Sequence, residues 1–206
     1  MLKLGVLASG RGTDFQSLID AWKRKYFDAE IVVLVSNNPE AYAIERARQN
    51  GIPAYVIPHK GRKREEHERE ITAVLEKHGV ELVVLAGYMR TLTKFFIERW
   101  RNRIINIHPA LLPLFGGKGY YGIKVHEAVL ASGMKVSGCT VHFVTEDIDG
   151  GPIILQKCVE VLEDDTPETL AARVLEKEHE ILPLAVKLIA EGRVKIVDGK
   201  RVKIEW

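Results

Sequence analysis

The residues best placed to do chemistry lie in Ile105-Asn106-Ile107-His108-Pro109. The period of an extended strand puts Asn106 and His108 on one face, at the end of a strand that proline stops. A carboxamide beside an imidazole supplies an oxyanion donor and a proton carrier. By themselves the two read more readily as a turn-forming asparagine and a hydrogen-bonded core histidine. A third group would change that reading, and Asp149 in Glu146-Asp147-Ile148-Asp149-Gly150-Gly151 is the candidate. Paired glycines allow a sharp bend and close backbone approach. In a partly buried cleft, an aspartate beside His108 would favour the imidazolium and fix the ring's orientation. The remaining histidines, His59, His67, His78, His126, His142 and His179, show no metal-ligand spacing, so no metal is expected.

A second constellation is the turn Ser9-Gly10-Arg11-Gly12-Thr13-Asp14. Between a buried strand and a helix, such a turn aims backbone N–H groups and the helix N-terminus at one spot, which suits phosphate. Phe15 stands where a dinucleotide fingerprint needs its third glycine, and no Gly-Lys-Ser/Thr follows as in a Walker loop. A monophosphate site and a plain tight turn both remain open, and a monophosphate fits better than a pyrophosphate.

The elements that must position these groups alternate as βα units of a mostly parallel sheet. Expected strands are Leu2–Ala8, Ile31–Val35, Ala54–Ile57, Glu81–Ala86, Ile104–Ile107, Lys135–Thr145 and Pro152–Val161. Phe15, Leu18, Ile19 and Trp22 mark the face of a first helix, and a second closes near Asn50 with Gly51 as its cap. Ile71, Val74 and Leu75 mark a third helix, Thr93–Trp100 a fourth and Val125–Ala131 a short fifth. Thr166-Pro167 starts a long helix that passes Pro183 and ends at Gly192, and Asp198-Gly199 makes a hairpin of Arg193–Val197 and Arg201–Ile204. The irregular stretch Ala110–Gly122 is long enough to suggest function. With no linker or repeat, one domain over 1–206 is expected.

Composition bounds the rest. The 206 residues carry 30 basic and 28 acidic side chains, a formal charge of +2, which is no footprint for nucleic acid. No apolar run is long enough to span a membrane, and MLKLGVLASG is too short for a signal peptide. Cys139 and Cys158 read as two core thiols in a reducing cytoplasm.

Taken together, the motifs resemble one family, the folate-dependent glycinamide ribonucleotide formyltransferases of purine biosynthesis. The matching segments are Ser9–Thr13, Leu85-Ala86-Gly87-Tyr88-Met89-Arg90, Asn106-Ile107-His108-Pro109-Ala110-Leu111-Leu112-Pro113, Thr140–Val144, Asp149–Ile154 and Glu178-His179, in order along nearly the whole chain. The resemblance implies a Rossmann-like, doubly wound α/β fold. It also implies direct transfer of a formyl group from 10-formyltetrahydrofolate to the amine of glycinamide ribonucleotide. Asn106 and His108 would stabilise the oxyanion, with Asp149 sustaining the imidazolium. Gly12, Thr13 and Asp14 would take the phosphate and Glu178 the ribose. The folate would lie among Met89, Arg90, Thr91, Leu92, Asn106, Thr145, Glu146, Asp147, Ile148 and Asp149. Arg64 would meet its benzoyl-glutamate end, or else belong to the charged surface run around it. The implied partners are small molecules, with no nucleic acid, membrane or metal, in a cytoplasmic monomer or homodimer.

Three positions depart from the family pattern. Asp14 replaces an asparagine, and a carboxylate would repel phosphate unless it turned away to cap the helix. Ala110 and Gly116 replace the more usual serine and proline. A formyltetrahydrofolate deformylase would be expected to carry an extra N-terminal domain, and a methionyl-tRNA formyltransferase an extra C-terminal one. A catalytically silent sugar-phosphate-binding protein would need only Gly10, Gly12 and Thr13.

Overall fold

The computed structural model describes residues 1–206. In chain order the elements are β1 (Leu2–Ala8), α1 (Thr13–Lys23), β2 (Ala29–Ser36), α2 (Tyr42–Gln49), β3 (Ala54–Val56), α3 (Arg64–Lys77), β4 (Leu82–Leu85), α4 (Lys94–Arg99) and β5 (Ile104–His108). They continue with α5 (Ile123–Ser132), β6 (Val136–Phe143), β7 (Ile153–Glu160), α6 (Pro167–Ala190), β8 (Val194–Val197) and β9 (Arg201–Ile204). The seven main strands follow the hydrogen-bonding order β3-β2-β1-β4-β5-β6-β7, and β8-β9 form a separate pair. This is the mostly parallel, helix-flanked sheet that the alternation of elements implies. The chain divides into two compact units, Met1–Asn106 and Ile107–Trp206.

In the first unit, β1 pairs in parallel with both β2 and β4. Successive crossovers therefore leave β1 in opposite directions, and the loops after β1 and β4 emerge side by side at the carboxyl ends of the strands. That is where open α/β sheets bind ligands. The β-branched run of β2 and the run Leu4–Ala8 of β1 are buried on both faces, as parallel strands between helix layers must be. Helix α1 buries Phe15, Leu18, Ile19 and Ala21, while Trp22 is only half-buried. The apolar stripe thus turns toward Ala21, which lets the helix lie closer to the sheet. Asn50 occupies the C-cap of α2, and Gly51, left-handed at φ 65°, follows it.

In the second unit, β6 and β7 form an antiparallel pair, and α6 packs on both. Thr166 caps α6 reciprocally with Thr169: each hydroxyl accepts from the other's backbone N–H, at 3.2 Å and 2.9 Å. Pro167 occupies the first turn and Pro183 lies within the 24-residue helix. Asp198 and Gly199 both have positive φ, the geometry of a type I′ hairpin, and join β8 to β9. Cys139 is buried, but Cys158 is exposed, contrary to the expectation of two core thiols. Cys158 lies in β7, in an exposed run with Gln156 and Lys157. No helix is long and apolar enough to cross a membrane.

Candidate active site

Strand β5 ends in Asn106-Ile107-His108, so the strand period sets the half-buried Asn106 and the buried His108 on one face. His108 is held from two sides by its own unit. Its Nε2 donates to the Phe115 carbonyl at 2.8 Å, and its Nδ1 lies 3.7 Å from Asp149 Oδ2. The same carboxylate oxygen accepts from Gly117 N–H at 2.9 Å. The long irregular stretch thus supplies two of the contacts that fix the pair. With Nε2 committed to a carbonyl, Nδ1 is the nitrogen turned toward the carboxylate.

Asp149 is unusual in its backbone as well as its surroundings. It has φ 55°, in the left-handed region that is uncommon outside glycine but that asparagine and aspartate visit more readily than other residues. Of the two glycines after it, Gly151 is demanded by space, because it meets backbone where Gly150 meets only the exposed Asp147 side chain. A Cβ on Gly150 would come within 2.1 Å of Asp147 Oδ2, and one on Gly151 within 1.8 Å of the Phe143 carbonyl oxygen. At Gly116 a Cβ would meet Leu112 at 2.5 Å and the Asp149 Cβ at 3.1 Å. Gly151→Ala must therefore displace backbone, and we expect it to lower the free energy of unfolding by about 3 kcal/mol, read by urea denaturation. A loss below about 0.5 kcal/mol would mean that the bend relaxes without strain.

Two further histidines surround this pair. His142 Nε2 lies 3.8 Å from Asp149 Oδ1, so the carboxylate sits between two imidazoles. Burial pushes the His142 pKa down, against opposing contributions from the Phe143 carbonyl and Asp149. Burial also lowers that of His126, with the charge of His108 adding to it, and its Nδ1 has no partner. In the first unit His67 is likewise depressed by burial; its Nε2 meets the Ile57 carbonyl at 2.6 Å and its Nδ1 is unpartnered. For all three the unfolded chain, near 6.5, takes up protons before the folded one does. Their contribution to stability is complete above 6.5 and is lost as the pH falls toward the folded values. Glu68, raised above 4.5 by burial, acts in the opposite sense, one group against three. We therefore expect the unfolding free energy to be lower at pH 5.5 than at pH 7.5, with a shallower dependence in His67→Gln. Stabilisation on acidification would contradict this.

The Ser9–Asp14 turn forms the N-terminal end of α1. Gly12 is the N-cap residue, at φ 73°, and no side chain caps the helix. A Cβ there would lie 2.7 Å from the Ala43 Cβ, so glycine is required by both torsion and space. Arg46 braces the turn from α2, donating from Nε to the Arg11 carbonyl at 2.7 Å. The result is an open helix end, with Thr13 at its first position and the macrodipole unopposed by a capping oxygen. Asp14 lies in the first turn of the helix.

The segment after β4 is pinned at both ends. Met89 N–H donates to Ser9 Oγ at 2.8 Å, and the Arg90 guanidinium donates to the Arg62 carbonyl at 3.0 Å. Thr93 donates from both its backbone N–H, at 2.9 Å, and its hydroxyl to the carboxylate of buried Glu68. Met89 and Thr91 are exposed and Leu92 is half-buried, leaving a supported strip with an apolar side chain facing outward. Arg64 is exposed at the start of α3. In the second unit Thr145 and Asp149 are half-buried, Glu146, Asp147 and Ile148 are exposed, and Glu178 is buried on α6. Sequence reasoning missed Glu68, hidden in the charged run from Lys60 to Glu70. The available signal was its spacing, because Glu68, Ile71, Thr72 and Leu75 form one buried stripe of α3.

Residues 2–186 match the model of a family described as formyl transferase. The chain is 45% identical over 195 residues to a chloroplastic phosphoribosylglycinamide formyltransferase of Arabidopsis thaliana, covering 94% of this chain and 67% of that protein. It is 44% identical over 206 residues to the trifunctional purine biosynthetic protein adenosine-3 of Gallus gallus; all of this chain is covered, but only 20% of that protein. The crystal structure of a glycinamide ribonucleotide transformylase from Symbiobacterium toebii superposes with a TM-score of 0.93 at 42% identity, covering 99% of this chain and 94% of that one.

Proposed function

Since the chain belongs to the formyl transferase family, as an enzyme of the phosphoribosylglycinamide formyltransferase kind, we propose that it moves the formyl group of 10-formyltetrahydrofolate directly onto the amine of 5'-phosphoribosylglycinamide. The products are the formylated ribonucleotide and tetrahydrofolate, at the formylation step of purine (IMP) synthesis. The observation that carries the reading is the His108–Asp149 pair, held on one side by the Phe115 carbonyl and on the other by Gly117 N–H. A binding protein gains nothing from a buried imidazole so oriented, whereas a proton carrier requires it.

In this reading the amine attacks the formyl carbon, and the formyl oxygen takes up negative charge in a tetrahedral intermediate. Asn106 and His108 are assigned to donate hydrogen bonds to that oxygen, the kind of term that is large in acyl transfer, and His108 does so by giving up the Phe115 carbonyl as the acceptor of its Nε2–H. Asp149 balances the positive charge of the ring while it holds both protons. A proton leaves the attacking nitrogen, and one reaches the departing folate nitrogen as the carbon–nitrogen bond breaks, so no covalent enzyme adduct is needed. The open end of α1 suits the phosphate, which Gly12, Thr13 and the backbone N–H of Asp14 would hold. Glu178 is assigned to the ribose hydroxyls. Met89 to Leu92, Asn106 and Thr145 to Asp149 are assigned to the folate, with Arg64 at its glutamate end. The exposed apolar side chain of Met89 suits a flat pterin face. We further propose a single 1–206 domain, metal-free and cytoplasmic, working as a monomer or homodimer.

The test follows folate absorbance with and without the ribonucleotide. Tetrahydrofolate formed only in its presence supports the transferase. Formation without it, with formate released, would make the chain a deformylase. No turnover despite binding of both ligands would make it a silent binding protein.

A further inference from the structure

Among the buried hydroxyls that the catalytic assignment leaves unused is that of Ser9. Ser9 sits at the carboxyl end of β1 with all its polar atoms engaged. Its Oγ donates to Asn37 Oδ1 at 2.6 Å and accepts from Met89 N–H at 2.8 Å. Its N–H donates to the Gly87 carbonyl at 3.0 Å, and its carbonyl accepts from Asn38 Nδ2 at 3.2 Å. The bonds close into a circuit. Asn37 Nδ2 donates to His59 Nδ1 at 3.1 Å, Arg90 donates to the His59 carbonyl at 3.5 Å, and Arg90 follows Met89 in the chain. Ser9 also opens the glycine turn whose far end is the open terminus of α1. One hydroxyl thus belongs at once to the segment assigned to phosphate and the segment assigned to folate.

A tight turn needs no such side chain, because glycines already supply its torsions. The Met89 N–H, in turn, lies where the chain leaves β4 and has no helix or strand partner. Removing the hydroxyl would leave the buried Asn37 oxygen without its donor and the part-buried Met89 N–H without its acceptor. We infer that Ser9 is a positioning residue that couples the two substrate segments, so that a ribonucleotide on the Gly12–Thr13 turn orders Met89–Leu92 and a folate on Met89–Leu92 orders the turn. The inference rests on the substrate assignment proposed above. Coupling of this kind is reciprocal: each ligand must change the affinity of the other by the same factor.

The experiment measures equilibrium binding of glycinamide ribonucleotide with and without tetrahydrofolate, which carries no formyl group and so cannot react. In the unsubstituted protein the folate should tighten ribonucleotide binding about 5-fold, and the reverse experiment should return the same factor. In Ser9→Ala the factor should fall toward one while both separate complexes still form, a change that a merely structural loss would not produce. A factor of one in the unsubstituted protein, or one that survives Ser9→Ala, overturns the inference. Should Ser9→Ala fail to fold, hydrogen exchange on the unsubstituted protein decides. Adding the ribonucleotide alone should slow exchange of the Met89 amide, and protection at Thr13 without any at Met89 overturns the coupling. If neither ligand binds the unsubstituted protein, the substrate assignment falls, and the coupling with it.

Discussion

Replacing His108 by asparagine should lower kcat by about 10³-fold while the KM for the ribonucleotide stays within about threefold. His108 is 4% exposed, and its loss removes both the proton carrier and the oxyanion donor that the proposed mechanism assigns to the ring. Neither function is exercised before the amine attacks, so binding should change little. Asparagine fills much of the volume and its amide can stand where Nδ1 faces Asp149, while the Phe115 carbonyl loses the donor it had from Nε2. The check is steady-state kinetics on a variant whose thermal midpoint remains close to that of the unsubstituted protein. A kcat within tenfold would remove His108 from the chemistry. An equal rise in KM for both substrates would mean that the residue shapes the cleft instead of acting on the reacting atoms.

The fold was legible where local pattern and tertiary burial agree. The span of β1 could be read directly, because a run of buried apolar residues bounded by a Gly-rich turn has little else to be. The hairpin at Asp198-Gly199 was equally plain, since both positions need positive φ and both residues tolerate it. Trp22 and Cys158 were misjudged because hydrophobic character says only that a residue can be buried. The geometry of the neighbouring layer decides which residue is. At the site, Asn106 and His108 share a strand and were visible as a pair. Asp149 needed a contact between residues 41 positions apart, which no periodicity encodes, although the glycines that permit its approach were in view. Ser9 and Glu68 were hidden for opposite reasons. The first looked like part of a turn and the second like part of a solvated charge run, yet each satisfies backbone groups of a loop far away in sequence.

Asp149→Asn separates charge from shape at this site. Asparagine keeps a carbonyl oxygen to accept from Gly117 N–H, matches the volume, and tolerates the left-handed backbone at φ 55°. Only the negative charge is lost, 3.7 Å from His108 and 3.8 Å from His142. We expect kcat to fall about 10²-fold with thermal stability nearly unchanged. The direction of the pH effect follows from Coulomb's law. Removing the carboxylate disfavours positive charge anywhere close to it, so a cationic form that the reaction needs becomes harder to keep as the pH rises. If the protonated ring is the working form, the alkaline limb of the kcat profile should move toward lower pH. His142 cannot take over, because burial already depresses its pKa and the same substitution removes a contribution that raised it. An unchanged rate and profile would refute an electrostatic role for Asp149. A lowered rate with an unshifted profile would make it an orienting group that acts through geometry alone. Asp149→Ala, which removes the acceptor as well, should then be worse than Asp149→Asn by whatever the Gly117 hydrogen bond contributes to holding the cleft in shape.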